Sequence, residues 1–221
     1  MSRFLLLLAL LAAPFLLADT VQAQRAGFAL RAGTAGLGGD IIVGMSNHFH
    51  LRASGTYLPY STTYLQEDDR VDVSYDADAQ LFTMAGMLDY YPFRTVVRLS
   101  AGVVYNASSV SAIGTPTDSY TTGGRTFTAE QLGTVSTTLD YGSQVQPYVG
   151  LGFGNPLAPG NRFGFMLDMG VFYTNAPAVA MEATGMLEPT AQNAADIQAA
   201  LSPLTIYPAI SVAFSVNFGK R

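Results

Sequence analysis

The sequence predicts an all-β fold, an eight-stranded antiparallel up-and-down transmembrane β-barrel, from three observations. Charged residues make up only 12% of a chain that is 49% hydrophobic. Segments of alternating pattern recur between turn residues, and their connections are alternately short and long. The last segment places large apolar residues on one face, against Ser211, Ala213, Ser215 and Asn217 on the other. That apolar face would pack on a second sheet in a soluble sandwich, but would face lipid in a membrane barrel.

The N-terminus has the three-part pattern of a secretory signal peptide. Met1-Ser2-Arg3 is followed by an apolar run to Leu17, and the segment closes on Val21-Gln22-Ala23. The run is shorter than the roughly 20 residues that a membrane-spanning helix needs. We therefore expect a signal peptide over residues 1–23, removed after Sec export, and a barrel over residues 24–221.

Four strands are predicted in the first half of the mature chain. They cover about Ala26–Thr34, Leu37–Ser46, Phe49–Thr62 and Ala79–Tyr91. The first two are joined by a tight glycine-containing turn. The fourth ends at Pro92-Phe93-Arg94, which has the composition of a short turn.

Four more strands are predicted in the second half. They cover about Val96–Ala112, Gly133–Gly154, Arg162–Gly185 and Ile206–Phe218. The links after the second, fourth and sixth strands are short, and those after the third, fifth and seventh are long and polar. Short periplasmic turns and longer extracellular loops are typical of outer-membrane barrels, and an even strand number places both termini in the periplasm.

Aromatic residues are predicted to form a girdle at the two ends of the lipid-facing band, as in membrane barrels. The residues assigned to this girdle are Phe49, Tyr57, Tyr90, Tyr105, Phe153, Phe163, Tyr173, Tyr207 and Phe218.

Charged residues are predicted on the inward faces of the strands. The set is Arg31, Asp40, Arg52, Asp89, Arg98, Asp140 and Asp168. An eight-stranded barrel is just wide enough for side chains to fill, and buried charges of opposite sign should pair. We therefore expect a side-chain-filled lumen that closes the barrel, with a narrow channel or carrier for small or hydrophobic solutes as the alternative.

No catalytic residue, metal site or cofactor is predicted. The chain has no cysteine, and its two histidines, His48 and His50, fall at a predicted periplasmic turn without a third metal ligand. That end is wrong for lipid-modifying chemistry at the cell surface, so a lipid-modifying enzyme is a distant third hypothesis. The net charge of −5 argues against nucleic acid as a partner.

Three predicted outer loops carry further patterns. Glu67-Asp68-Asp69, with Asp72, Asp76 and Asp78, makes the first of them acidic. Residues 120–127 are predicted to form a tight hairpin, and residues 191–201 a short helix ahead of Pro203.

The last strand and the first turn carry a resemblance to a known family. The alternation of Val212, Phe214, Val216 and Phe218 resembles the signal that outer-membrane proteins present to the barrel-assembly machinery. With the segment Gly33-Thr34-Ala35-Gly36-Leu37-Gly38, the chain resembles small Gram-negative barrels of the OmpA transmembrane-domain, OmpX and OmpW type, and uncharacterised outer membrane beta-barrel proteins. It differs from them in adding three residues after the terminal aromatic residue.

The resemblance implies a location and a set of partners. It implies a monomer in the bacterial outer membrane, in contact with outer-membrane lipids and lipopolysaccharide. Its motifs are generic to barrels, so the expected role is a non-enzymatic one in envelope structure or surface interaction.

Overall fold

The computed structural model describes residues 25–66, 71–93, 96–142 and 144–218. The predicted signal peptide, the acidic triplet of residues 67–69 and the last three residues lie outside the described residues. None of the helices in the described ranges is long and apolar enough to cross a membrane.

Strands dominate the described chain. In chain order they are β1 (Ala26–Gly33), β2 (Gly36–Gly44), β3 (Phe49–Gln66), β4 (Val73–Tyr90), β5 (Val97–Asn106), β6 (Ser109–Pro116), β7 (Tyr120–Thr122), β8 (Arg125–Phe127), β9 (Val135–Asp140), β10 (Gln144–Phe153), β11 (Phe163–Tyr173), β12 (Ala178–Ala183) and β13 (Ile206–Asn217). The helices are α1 (Ala129–Leu132), a 3-10 helix (Gly185–Asn193) and α2 (Ala194–Leu201).

Eight of these strands form a ring within the larger sheet. Their order is β4-β3-β2-β1-β13-β11-β10-β5, and antiparallel pairing of β5 with β4 joins the two ends. Both chain ends of the described ring, Ala26 and Asn217, lie at the same end, which we call the lower end. The all-β, antiparallel prediction is therefore confirmed.

An extension of the same sheet continues the ring at its upper end. β4 changes partner along its length: Thr83 pairs with Asn106 of β5, whereas Gln80 pairs with Ser109 of β6. β6 pairs with β9, and β9 with β12. We call this extension, made of β6, β9, β12 and the upper parts of β3 and β4, the upper sheet.

Three predicted strands are each divided in the structure. The predicted fifth strand becomes β5 and β6, the sixth becomes β9 and β10, and the seventh becomes β11 and β12. Gly142, with φ of +66°, lies between β9 and β10, and Pro177 lies between β11 and β12. These breaks let one strand of each pair join the ring and the other join the upper sheet.

Alternation along the ring strands separates an apolar outside from a mixed inside. On β13, Val212 and Phe214 are 42% and 52% exposed, whereas Ala213 and Ser215 are buried. The predicted hairpin at residues 120–127 is present as β7 and β8, and the predicted helix before Pro203 is present as α2.

Candidate functional site

The middle of the ring interior holds a network of three arginines and three aspartates from six strands. Its members are Arg31, Asp40, Arg52, Asp89, Arg98 and Asp168. Six of the seven residues predicted as a lumen charge network are thus brought together.

Arg52 lies at the centre of this network. Its Nη2 donates to Asp89 Oδ1 at 2.9 Å, and its Nη1 donates to Asp168 Oδ2 at 2.9 Å. Ser100 Oγ donates to the same Asp89 oxygen at 2.5 Å. Charge-assisted bonds of this kind fix geometry more strongly than neutral ones.

The other two arginines extend the network to neighbouring strands. Arg31 Nε donates to Asp40 Oδ1 at 2.8 Å, and its Nη2 lies 3.0 Å from Asp168 Oδ2. Arg98 pairs with Asp168 and donates from Nη1 to the carbonyl oxygen of Gly154 at 2.7 Å.

The network is buried and neutral as a set. Arg52, Arg98, Asp40 and Asp89 are each 0% exposed. Three positive and three negative side chains balance one another, which a buried charge requires because an unpaired ion in the interior is costly. Chemically, this arrangement binds the strands to one another inside the ring.

Inward glycines make room for the large side chains. A Cβ at Gly152 would lie 2.4 Å from Arg98 Nε, and a Cβ at Gly150 or Gly170 would lie 2.4 Å from Tyr148 Oη. Because these positions have no side chains, Arg98 and Tyr148 can lie over them inside the ring.

An apolar layer lies above the charge network. Met87, Val104, Tyr148 and Phe172 pack together there, and Tyr207 stacks on Phe172 with ring centroids 4.6 Å apart. A cavity of about 60 Å³ is lined by this layer and by Arg31 at its edge. A second cavity of about 20 Å³ shares the lining residues Ala35, Thr83 and Phe172 with it.

A second apolar layer packs inside the ring below the charge network. Leu157, from the turn between β10 and β11, is only 1% exposed and packs with Ala29, Ile42, Met166 and Ala213. Asn155 Oδ1 accepts from the Leu157 N–H at 3.1 Å and so holds the turn in this inserted conformation.

Polar groups at the lower end complete this layer. The Asn217 side chain donates to the carbonyl oxygen of Ala158 at 3.4 Å, which ties the end of β13 to the inserted turn. Tyr91, just after β4, is fully buried against His50, and burial raises the pKa of its phenol to about 12.

Asp140 was predicted in the lumen, and the structure corrects this assignment. It is the last residue of β9 in the upper sheet and pairs with Ser109 of β6. Ser109 pairs in turn with Gln80 of β4, which is exposed on the outward face, so Asp140 lies on the outward face as well. Its Oδ1 accepts from the Gly142 N–H at 2.8 Å. Even-numbered residues point inward on β10 but outward on β9, because the break between the two strands exchanges their faces. The inward positions of β10 therefore do not predict the orientation of Asp140.

Tyr207 was predicted in the aromatic girdle, and the structure places it on the inward face of β13. It lies eleven positions before Phe218, and an odd spacing puts two residues on opposite faces of a strand. Tyr207 Oη donates to the carbonyl oxygen of Thr34 at 2.9 Å. The other residues assigned to the girdle are exposed: Phe49, Tyr57, Tyr90, Tyr105, Phe153, Phe163, Tyr173 and Phe218.

Sequence reasoning missed the apolar layers that pack inside the ring. Leu157 belongs to a turn, and no alternation marks a turn residue as buried. Tyr148 and Phe172 were placed on strands but not recognised as a layer. The inward glycines beside Tyr148, Gly150 on the same strand and Gly170 on β11, were the available signal, since small residues next to a large one leave room for it to lie over them.

The two histidines differ in environment. His50 is buried on β3, and His48 lies in the turn before it. Across the described ranges, no group of three His, Asp or Glu side chains is arranged to hold a metal ion.

Comparisons with known proteins find a shared fold at low sequence identity. The crystal structure of Acinetobacter baumannii CarO2 is similar with a TM-score of 0.60 and 16% identity, covering 90% of this chain and 100% of that chain. The crystal structure of A. baumannii CarO is similar with a TM-score of 0.61 and 18% identity, covering 86% and 96%. This chain has the fold of those two proteins.

One more distant structure was also found. A major outer membrane protein from Thermus thermophilus covers 90% of this chain and 100% of its own, at 13% identity and a TM-score of 0.47. No family model matches the sequence, and no curated protein does.

Proposed function

We propose that this protein is an integral bacterial outer-membrane protein whose eight-strand ring is a closed barrel that crosses the membrane. The observation that carries this proposal is the inverted distribution of side chains. Leu30, Ile41, Leu99 and Phe165 are 63%, 53%, 46% and 63% exposed on the outside, while charges fill the inside. A soluble domain would not expose such a band, and a closed ring leaves no unpaired backbone groups in lipid.

The orientation follows from the two ends of the ring. Apart from the tight turn between β1 and β2, which lies at the upper end, the short turns lie at the lower end, and the upper end continues into the upper sheet. In outer-membrane barrels the short turns are periplasmic and the long segments external. We infer that both termini are periplasmic, that the upper sheet lies outside the cell, and that the exposed aromatic residues form the girdle at the membrane surfaces.

The interior supports a closed barrel with a structural or surface-interaction role. The charge network and the Leu157 layer fill the cross-section at two levels, and an eight-stranded interior offers little further space. We propose a non-enzymatic monomer that contacts outer-membrane lipids and lipopolysaccharide, and that the assembly machinery inserts through the strand ending at Phe218.

Location and closure are tested separately. Separation of inner and outer membranes by density should place the protein in the outer-membrane fraction, and recovery in the soluble or inner-membrane fraction would contradict the proposal. Purified protein in planar bilayers should then show no steady conductance steps. Reproducible openings would refute the closed barrel without refuting the location.

A narrow channel or carrier for small apolar solutes is the second candidate. The cavity of about 60 Å³ in the upper half of the ring favours it. The double variant Arg52→Ala with Arg98→Ala distinguishes the two candidates. A closed barrel predicts loss of heat stability, whereas a pore lining predicts altered ion selectivity with folding intact.

A further inference from the structure

The upper part of β3 pairs with a neighbouring strand on one side only. β2 ends its pairing with β3 at the Leu37–Tyr57 pair, whereas β4 follows β3 to Gln66. The reason is the tight turn between β1 and β2, which ends both strands early. Residues 58–66 of β3 are therefore a strand edge in the part of the chain that the structure describes.

The hydrogen-bonding direction of this edge follows from the lower end of the same strand. The Tyr91 N–H donates to the His48 carbonyl across the β3–β4 pair, and the Met45 N–H donates to the Phe49 carbonyl from the β2 side. Antiparallel strands direct alternate residues to alternate neighbours. Even-numbered residues of β3 thus bond to β4, and the N–H and C=O groups of Ser61, Thr63 and Leu65 point to the open edge.

Side chains along this edge leave it accessible. Ser61, Thr63 and Leu65 are all exposed. Pro59, at the start of the edge, has no N–H to donate, and proline is confined to such edge positions in sheets. The accessible stretch therefore begins after Pro59.

The opposite edge of the upper sheet, at β12, differs because α2 contacts its backbone. Gln198 of α2 accepts from the Val179 N–H of β12 at 2.8 Å and donates to the Pro177 carbonyl at 3.0 Å. A helix thus satisfies the backbone groups at the start of β12 on that edge, while no described element covers the edge at Ser61, Thr63 and Leu65.

The two faces beside the open edge differ in chemistry. On the outward face, Ser61 and Thr63 donate their hydroxyls to Asp78 and Asp76, the latter at 2.6 Å. On the inward face, Tyr60 and Tyr64 are 58% and 52% exposed. A strand added at this edge would lay alternate side chains toward two carboxylates and toward tyrosine rings.

We propose that the upper edge of β3 binds an extended peptide segment, with cationic side chains at alternate positions, by strand addition. The free N–H and C=O groups bind the peptide backbone. Small Ser61 and Thr63 allow a lysine or arginine to reach over them to Asp76 and Asp78, while apolar residues of the peptide contact the tyrosines. Main-chain bonds supply affinity and the alternating contacts supply specificity, as in other strand-addition sites.

A second copy of the chain fits this edge less well than a peptide. In two copies that share one membrane, both β3 strands run toward the same side of the membrane. Because barrel strands are tilted, the two facing β3 strands would cross each other instead of lying side by side. The proposal rests on the proposed function only for the statement that the edge faces outside the cell.

The test uses the purified full chain in lipid nanodiscs and a fluorescent peptide of roughly nine residues that alternates lysine with valine or tyrosine. The control peptide has the same composition with its lysines grouped together. We expect the alternating peptide to bind with a Kd about tenfold lower than the control. Equal affinity would reduce the interaction to net charge and overturn the proposal.

Protein variants locate the site. Thr63→Pro removes an edge N–H and the hydroxyl bond to Asp76 but leaves the backbone bonds between β3 and β4 in place, and we expect it to raise the Kd about tenfold. Asp76→Asn with Asp78→Asn should raise the Kd and weaken its salt dependence. Unchanged binding by Thr63→Pro would overturn the proposal.

Two further measurements keep the result interpretable. A peptide N-methylated at alternate positions blocks strand addition without altering the protein, and its unreduced binding would also overturn the proposal. Self-association that Thr63→Pro abolishes would place a second copy at the edge and overturn it as well. Peptide binding with failed membrane insertion would refute the proposed function but not this site.

Discussion

Replacing Leu157 by alanine tests whether the lower turn closes the ring. Leu157 is 1% exposed, and the side chains around it, Ile42 and Met166, are themselves fully buried on rigid strands. Those neighbours cannot move inward to fill the space that the substitution leaves. The residue therefore behaves as a core leucine although it belongs to a turn.

The expected loss of stability follows from this packing. Leucine-to-alanine substitutions in rigid cores lower the free energy of unfolding by about 3–5 kcal/mol. The turn can shift partway into the cavity because it is tied mainly by Asn155 and Asn217. We therefore expect the lower end of that range, about 3 kcal/mol.

The change in the free energy of unfolding is measured by urea titration of the refolded protein in lipid vesicles. Folded and unfolded forms are distinguished by their different mobility in gels. Leu204→Ala, at a leucine that is 53% exposed, is the matched control and should change stability by less than about 0.5 kcal/mol. A Leu157→Ala effect as small as that of the control would refute the inserted turn.

A double-mutant cycle adds a direct test of contact. A Cβ at Gly44 would lie 3.2 Å from Leu157 Cδ1. Gly44→Ala should cost about 1 kcal/mol in the natural sequence and little in the Leu157→Ala background. Additive effects would show that the two residues do not meet.

Three other predictions concern the interior. Arg52→Ala should lower the unfolding free energy by about 3–5 kcal/mol, because it leaves Asp89 and Asp168 without their shared partner, and adding Asp89→Ala should recover part of this loss in the same urea titration. Gly152→Ala should cost about 1–3 kcal/mol by displacing Arg98, whereas Gly55→Ala, with nothing within 4 Å of its Cβ, should be near neutral by the same titration. In planar bilayers, Leu157→Ala alone should remain closed because the charge network is intact, and only its combination with Arg52→Ala and Arg98→Ala should conduct; conductance by the single variant would contradict the two-layer closure.

Much of the ring could be predicted from alternation, because one buried face and one exposed face repeat every two residues along each strand. The inward positions of Arg52, Arg98 and Asp168 followed from that period alone. The opposite charges of the inward arginines and aspartates then predicted that these side chains pair, since buried charges need partners.

The breaks between strands could not be predicted in the same way. Apolar residues such as Leu139 and Val145 keep the same odd positions before and after the break at Gly142. The period therefore continues while the faces exchange: Leu139 lies on the inner face of the upper sheet, and Val145, 68% exposed, on the outside of the ring. Only the pairing of β9 with β6 reveals the exchange, and pairing is not encoded in a local pattern.

The charge network has a consequence for specificity beyond closure. Its six members come from β1, β2, β3, β4, β5 and β11, so each of these strands contributes a side chain that must meet the others. A register shift of one residue would turn that arginine or aspartate to the apolar outside. Such a shift would place an ion in lipid and leave its former partners unpaired in the interior, two separate penalties for one error. An apolar interior would close the ring as well, but there a register shift would cost only packing energy. We therefore expect the ion pairs to favour this pairing of the strands over its shifted alternatives, even where the net stability that they add over an apolar core is small.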